Sequence, residues 1–118
     1  MSKDPAAIAA TYMSAWKERD FATLRSLLAD DVTFSGPLAE LTSADDCVAG
    51  LRRMSQIMTD IVVRKRLSDD TDAITWFDLH TSVAPPVPTA NWSHVEDGKI
   101  THIRVAFDAR PLAPPDGQ

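Results

Sequence analysis

The sequence predicts an α+β domain in which helices come first and an antiparallel sheet follows. Two observations carry that expectation. Apolar residues recur every three or four positions through the first half, whereas beyond Thr59 the period falls to about two. In that second half β-branched and aromatic residues take over, as in Ile61-Val62-Val63 and Ile74-Thr75-Trp76-Phe77. At 118 residues there is room for one core and no second domain, so we expect a single domain over 1–110 and a proline-rich tail over 111–118.

Asp4 before Pro5 is a helix start, because a carboxylate can accept from the free amides of the first turn and proline is tolerated there. Ile8, Tyr12, Ala15, Trp16 and Arg19 then share one face. Asp20 can cap a second, shorter helix with Phe21, Leu24, Leu27 and Leu28 on its apolar side, broken at Asp30-Asp31. A short strand, Val32 to Ser35, ends at Gly36-Pro37. Ser43, three residues before Asp46, opens a third helix whose expected buried stripe is Val48, Leu51, Met54 and Met58. Strands fill the remainder. Asp69 to Asp72 turns one strand into the next, and Pro85, Pro86 and Pro88 mark a connection because they supply no ladder amides. Asp97-Gly98 is a type I′ hairpin dipeptide between Trp92-Val95 and Ile100-Phe107.

Twelve basic against 17 acidic residues give a net charge of −5, and the basic runs Arg52-Arg53 and Arg64-Lys65-Arg66 are short. No face concentrates positive charge, which argues against a nucleic-acid partner. No apolar run is long enough to span a bilayer, so no membrane partner is expected. Cys47 is the only cysteine, which excludes an intrachain disulfide and fits a reducing, cytoplasmic setting. His80, His94 and His102 lack metal-ligand spacing, so no metal and no cofactor are assigned.

The stretch Gly98 to Asp108 (GKITHIRVAFD), together with Trp16-Lys17-Glu18-Arg19-Asp20-Phe21 and Leu28-Ala29-Asp30-Asp31-Val32, resembles the SnoaL-like branch of the nuclear transport factor 2 (NTF2-like) superfamily. The resemblance runs from about Ile8 to Asp108. It implies a cone-shaped, cystatin-like fold: three N-terminal helices packed on a strongly curved, mainly antiparallel sheet around a conical, mostly apolar pocket. It also implies a homodimer formed through the convex face of the sheet, where His102 and Arg104 are expected. Function follows less directly, since the same cone houses isomerases, cyclases, hydrolases and proteins without chemistry.

In ketosteroid isomerase the first helix carries a tyrosine that donates to the dienolate oxygen, and Tyr12 matches it. The base position before the proline is Gly36, however, and the second donor position falls near Ala90. In limonene-type epoxide hydrolases a strand-borne Arg-x-Asp pair meets a last-strand aspartate. Here Asp78 matches one carboxylate, but Trp76, Val105, Phe34 and Gly36 occupy the other positions. A lone carboxylate cannot both activate water and donate to the epoxide, so we expect no epoxide hydrolysis.

Alternation places Ile103, Val105 and Phe107 on one face of the last strand, and an unbroken hairpin pairs Val95 with Ile100 and Trp92 with Ile103. Ala90, Trp92 and His94 then face inward. Trp76, Asp78 and His80 share a face of their strand, but one residue more or less in the proline-rich loop swaps that face inside or out. The sharper hypothesis puts Asp78 and His80 in the pocket as a base and its partner, with Tyr12 stabilising negative charge on a ligand oxygen. Trp16, Phe34, Met54, Met58, Trp76, Trp92, His94, Val105 and Phe107 would line the binding site. Such a site suits cofactor-independent isomerase or cyclase chemistry on an apolar, carbonyl-bearing metabolite. The plain alternative is a non-catalytic ligand-binding or dimerisation module, with Asp78 and His80 on the outer face and Tyr12 a core side chain.

Overall fold

The computed structural model describes residues 4–112. Helices α1 (Pro5–Lys17) and α2 (Phe21–Leu27) lead into strand β1 (Leu28–Ser35) and the two-residue β2 (Glu40–Leu41). Helix α3 (Ala44–Ser55) follows, then β3 (Met58–Ser68), β4 (Asp72–Thr81), β5 (Val87–Glu96), β6 (Lys99–Ala106) and a single 3₁₀ turn at Arg110–Leu112. The tail expected over 111–118 lies mostly outside the described residues.

All three expected caps form. Asp4 accepts from the Ala6 amide at 3.4 Å, Asp20 from Thr23 at 3.2 Å, and the Ser43 hydroxyl from Asp46 at 3.1 Å. Asp97 and Gly98 both take positive φ, 53° and 78°, as a type I′ turn requires.

Three boundaries differ from the sequence reading. β1 begins at Leu28 and runs straight through Asp30-Asp31. Leu28 and Val32 both face the core, and a register irregularity between Leu28 and Thr33 lets Asp30, which regular alternation would turn inward with them, project outward to Arg25 at 2.7 Å. Met58 opens β3 instead of closing α3. The helix ends at Ser55, where the Arg19 guanidinium donates to the carbonyls of Ser55 (2.8 Å) and Met58 (2.7 Å) and turns the chain out of helical geometry. Pro88 sits inside β5, opposite Asp78. Its missing amide is tolerated because the β5–β6 ladder reaches only as far as Ala90 and Ala106.

The six strands form one sheet in the order β2-β1-β6-β5-β4-β3, with β1 parallel to β6 and every other pair antiparallel. Register shifts in β1, in β3 at Met58/Asp60 and Val63/Lys65, and between β5 and β6 at His94/Val95 bend it. The helices fill its concave side. Beneath α2, Leu24, Leu28, Val32, Ile100 and Ile103 are almost fully buried, each contributing about 1.5–3 kcal/mol by leaving water. Beneath α1 and α3 the packing is held by a buried hydrogen bond, 3.0 Å long, from the Trp16 indole to the Leu51 carbonyl. The same ring meets Phe77 of β4 edge to face, with centroids 6.4 Å apart.

Candidate functional site

Between α1, α3 and the concave face the side chains do not close up. They leave a cavity of about 310 Å³. Its inner wall is made of buried residues: Tyr12 and Trp16 of α1, Cys47 and Leu51 of α3, Phe77 and Leu79 of β4, and Thr89 and Asn91 of β5. Towards solvent it is bounded by the 36–39 turn, which a hydrogen bond from the Gly36 amide to the Ala39 carbonyl closes at 3.0 Å, and by Arg53, Met54 and Ile57 at the end of α3. Phe34, Val105 and Phe107 complete the wall. Gly36 and Gly50 keep it open. A Cβ on Gly36 would lie 3.5 Å from both Phe34 Cε1 and Val105 Cβ, and one on Gly50 would lie 3.3 Å from Leu41 Cδ1.

The wall is hydrocarbon with few polar atoms. Thr89 turns its hydroxyl to the Val87 carbonyl at 3.0 Å, and Asn91 Oδ1 accepts from Ser93 at 3.0 Å. The Tyr12 hydroxyl differs. It is buried, with the residue 1% exposed, and it has no hydrogen-bond partner among the described residues. Burial pushes the phenol far above its ordinary range and the nearby Cys47 thiol adds to the rise, while the Asn91 side chain, close to the hydroxyl but outside hydrogen-bond geometry, opposes it. Burial likewise pushes the Cys47 thiol up to about 11, with Asp46 adding to it. Both groups stay protonated at neutral pH, and no carboxylate or imidazole lines the cavity among the described residues.

Of the residues expected here, Tyr12, Trp16, Phe34, Met54, Val105 and Phe107 line the cavity. Met58 is buried in β3 and does not reach it. Asp78, His80, Trp76, Trp92 and His94 lie on the convex face. On β4 the buried set is Ala73, Thr75, Phe77 and Leu79, which sends Trp76, Asp78 and His80 the other way. Asp78 is held there by Arg64 at 2.8 Å, and His80 lies opposite Asp60. For Trp92 and His94 the cause is one residue of register. The hairpin does pair Val95 with Ile100, but an irregularity between His94 and Val95 then matches Ser93, not Trp92, to Ile103. Trp92 instead donates to Asp72 at 2.7 Å, and His94 Nδ1 lies 3.0 Å from the same carboxylate oxygen. No cluster of side chains able to hold a metal ion is found among the described residues.

Cys47, Gly50, Arg53, Thr89 and Asn91 were not anticipated. The alternation of Phe77 and Leu79 with Asp78 and His80 contained the parity of β4. Nothing comparable marked Thr89 and Asn91, which are polar residues on an inward face.

Residues 9–103 match the SnoaL-like domain. The chain belongs to the SnoaL-like family. A solved protein from Kribbella flavida DSM 17836 is 31% identical, with 94% of this chain and 92% of that one covered at a TM-score of 0.88. An NTF2-like protein of unknown function from Cytophaga hutchinsonii ATCC 33406 is 21% identical, covering 95% and 96% of the two chains at 0.84. An LEH-like epoxide hydrolase from M. tuberculosis is 20% identical, covering 90% and 84% at 0.75. Among curated proteins no significant match is found. The SnoaL-like fold is thus an NTF2-like α+β architecture. None of its described helices is long and apolar enough to cross a membrane.

Proposed function

We propose that this chain is a binding protein whose cavity receives a small, largely apolar molecule carrying one hydrogen-bond acceptor, such as a ketone oxygen, which the Tyr12 hydroxyl meets. The observation that carries this reading is the buried, unpartnered hydroxyl in a wall of hydrocarbon. Leaving such a group unsatisfied costs about 1–3 kcal/mol, and a ligand acceptor removes that cost once the wall gives enough for it to touch the hydroxyl, which is itself sealed from water. Isomerase or cyclase chemistry would need a base beside the acceptor. The Asp78 carboxylate and the His80 imidazole are on the opposite face, so the same observations favour binding over turnover.

Calorimetry with a ten-carbon methyl ketone and the alkane of equal length tests this. The wild type should prefer the ketone about fivefold, and Tyr12→Phe should abolish the preference while leaving the alkane affinity within about twofold. Failure of both compounds to saturate the protein would overturn the reading. Conversion of the ketone during incubation would restore the catalytic one.

A second reading concerns the convex face. The register aligns Leu67, Ile74, Trp92 and Arg104 in one row across β3 to β6, and Trp76 stands one step away. Leu67 is 62% exposed, and Ile74, Trp76 and Trp92 are 45–46% exposed. We propose that a second copy of the chain covers them. The face carries both signs of charge, Arg64 paired with Asp78, Arg104 opposite Trp92, and Asp72 accepting from that indole, which suits two-fold self-pairing better than a partner of one sign. The buried free thiol of Cys47 supports a cytoplasmic setting.

A further inference from the structure

Arg53 is the one charged side chain lining the cavity among the described residues, and it stands at the solvent end, one helical turn beyond Gly50. Its neighbour Arg52 is already engaged, stacked 4.3 Å over the Phe21 ring. The Arg53 guanidinium has no ion pair and no hydrogen bond among the described residues. It leans instead over Gly50, whose absent Cβ would come within 3.7 Å of its Nη2. Glu40, which opens β2 just after the 36–39 turn, accepts from the Ser35 hydroxyl at 2.5 Å. The cavity therefore has a neutral donor at its closed end, Tyr12, and an uncommitted cation at its open end, with hydrocarbon between them.

Resting on the binding reading above, we propose that the ligand is an anion at one end: an apolar oxo or hydroxy acid whose carboxylate stays at the rim on Arg53 while its distal oxygen reaches Tyr12. The order of the two groups follows from desolvation. A carboxylate driven to the closed end would lose its hydration against Phe77 and Leu79, with only a neutral hydroxyl to compensate. At the rim it keeps water on one side and gains a fork of guanidinium donors. The apolar chain between the two groups then occupies the wall formed by Trp16, Met54 and Phe107.

The test compares oxodecanoate, a ten-carbon acid with a methyl ketone at its far end, against its methyl ester, by calorimetry at low salt. Both carry the oxygen for Tyr12, and only the acid carries the anion. The wild type should bind the acid about fivefold tighter than the ester, a preference that fades in high salt. Arg53→Gln should erase the preference with the ester affinity unchanged, and Arg53→Glu should reverse it. The side chain is exposed, so circular dichroism should show both variants folded. Equal binding of acid and ester, or a preference that survives Arg53→Gln, would overturn the anionic ligand while leaving the apolar pocket standing. Binding of neither compound would remove both.

Discussion

The Trp16 indole N–H donates to the Leu51 carbonyl at 3.0 Å, and this contact joins the two helices that wall the cavity. Because the ring is also set edge-on to Phe77, it fixes the distance between the helical layer and β4. Replacing it with phenylalanine keeps an aromatic ring in contact but removes the donor and some volume from a buried site. We expect Trp16→Phe to cost about 2 kcal/mol in urea unfolding with an unchanged m-value. A loss under about 0.5 kcal/mol would mean that the hydrogen bond contributes nothing net.

Tyr12→Phe should behave in the opposite way. The hydroxyl is buried without a partner among the described residues, so removing it relieves a desolvation cost while the ring continues to pack. The variant should be as stable as the wild type or more stable by up to about 1 kcal/mol in ligand-free buffer. A destabilisation beyond about 1 kcal/mol would show that the hydroxyl serves the fold, and thermal unfolding without ligand measures it.

The architecture was legible because its signals were local. Asp4, Asp20 and Ser43 announce their helices by capping chemistry, and Asp97-Gly98 announces its turn by backbone geometry. The helical half of the site, Tyr12, Trp16 and Met54, followed from the same periodicity. The sheet half was legible only in part, because the face a strand residue occupies depends on register, and register is not local. One irregularity beside Val95 was enough to send Trp92 and His94 outward and bring Asn91 and Ser93 inward. The two-residue β2 carries too few residues to show any period. Arg53 read only as part of a short basic run, since its place at the cavity mouth depends on the 36–39 turn folding back against α3.

The row Leu67, Ile74, Trp92 makes a direct claim about assembly. If a second copy covers the convex face, Trp76→Glu should place two like charges near the pairing axis and yield a monomer in sedimentation at micromolar concentration. The wild type should sediment as a dimer. Since Trp76 is 45% exposed within one chain, the intrinsic stability of the monomer should change by no more than about 0.5–1 kcal/mol. A wild type that is monomeric throughout would remove the proposal.

Asp72 supplies the last expectation, and its sign can be worked out. Burial raises its pKa, but the hydrogen bonds from Thr71, Trp92 and His94 outweigh that, so the folded-state value lies below the ordinary 3.8. A carboxylate with a lowered folded pKa adds stability above its unfolded value and loses it as pH falls through the folded one. The stability difference between wild type and Asp72→Asn should therefore be constant well above pH 3.8 and shrink as pH drops below it. The Trp92 indole reports the same event, because it donates directly to this carboxylate at 2.7 Å. Its emission should change over that acid range in the wild type, before global unfolding, and stay flat in Asp72→Asn. A difference in stability that does not vary between pH 5 and the acid transition and beyond would show that the Asp72 charge is not linked to folding.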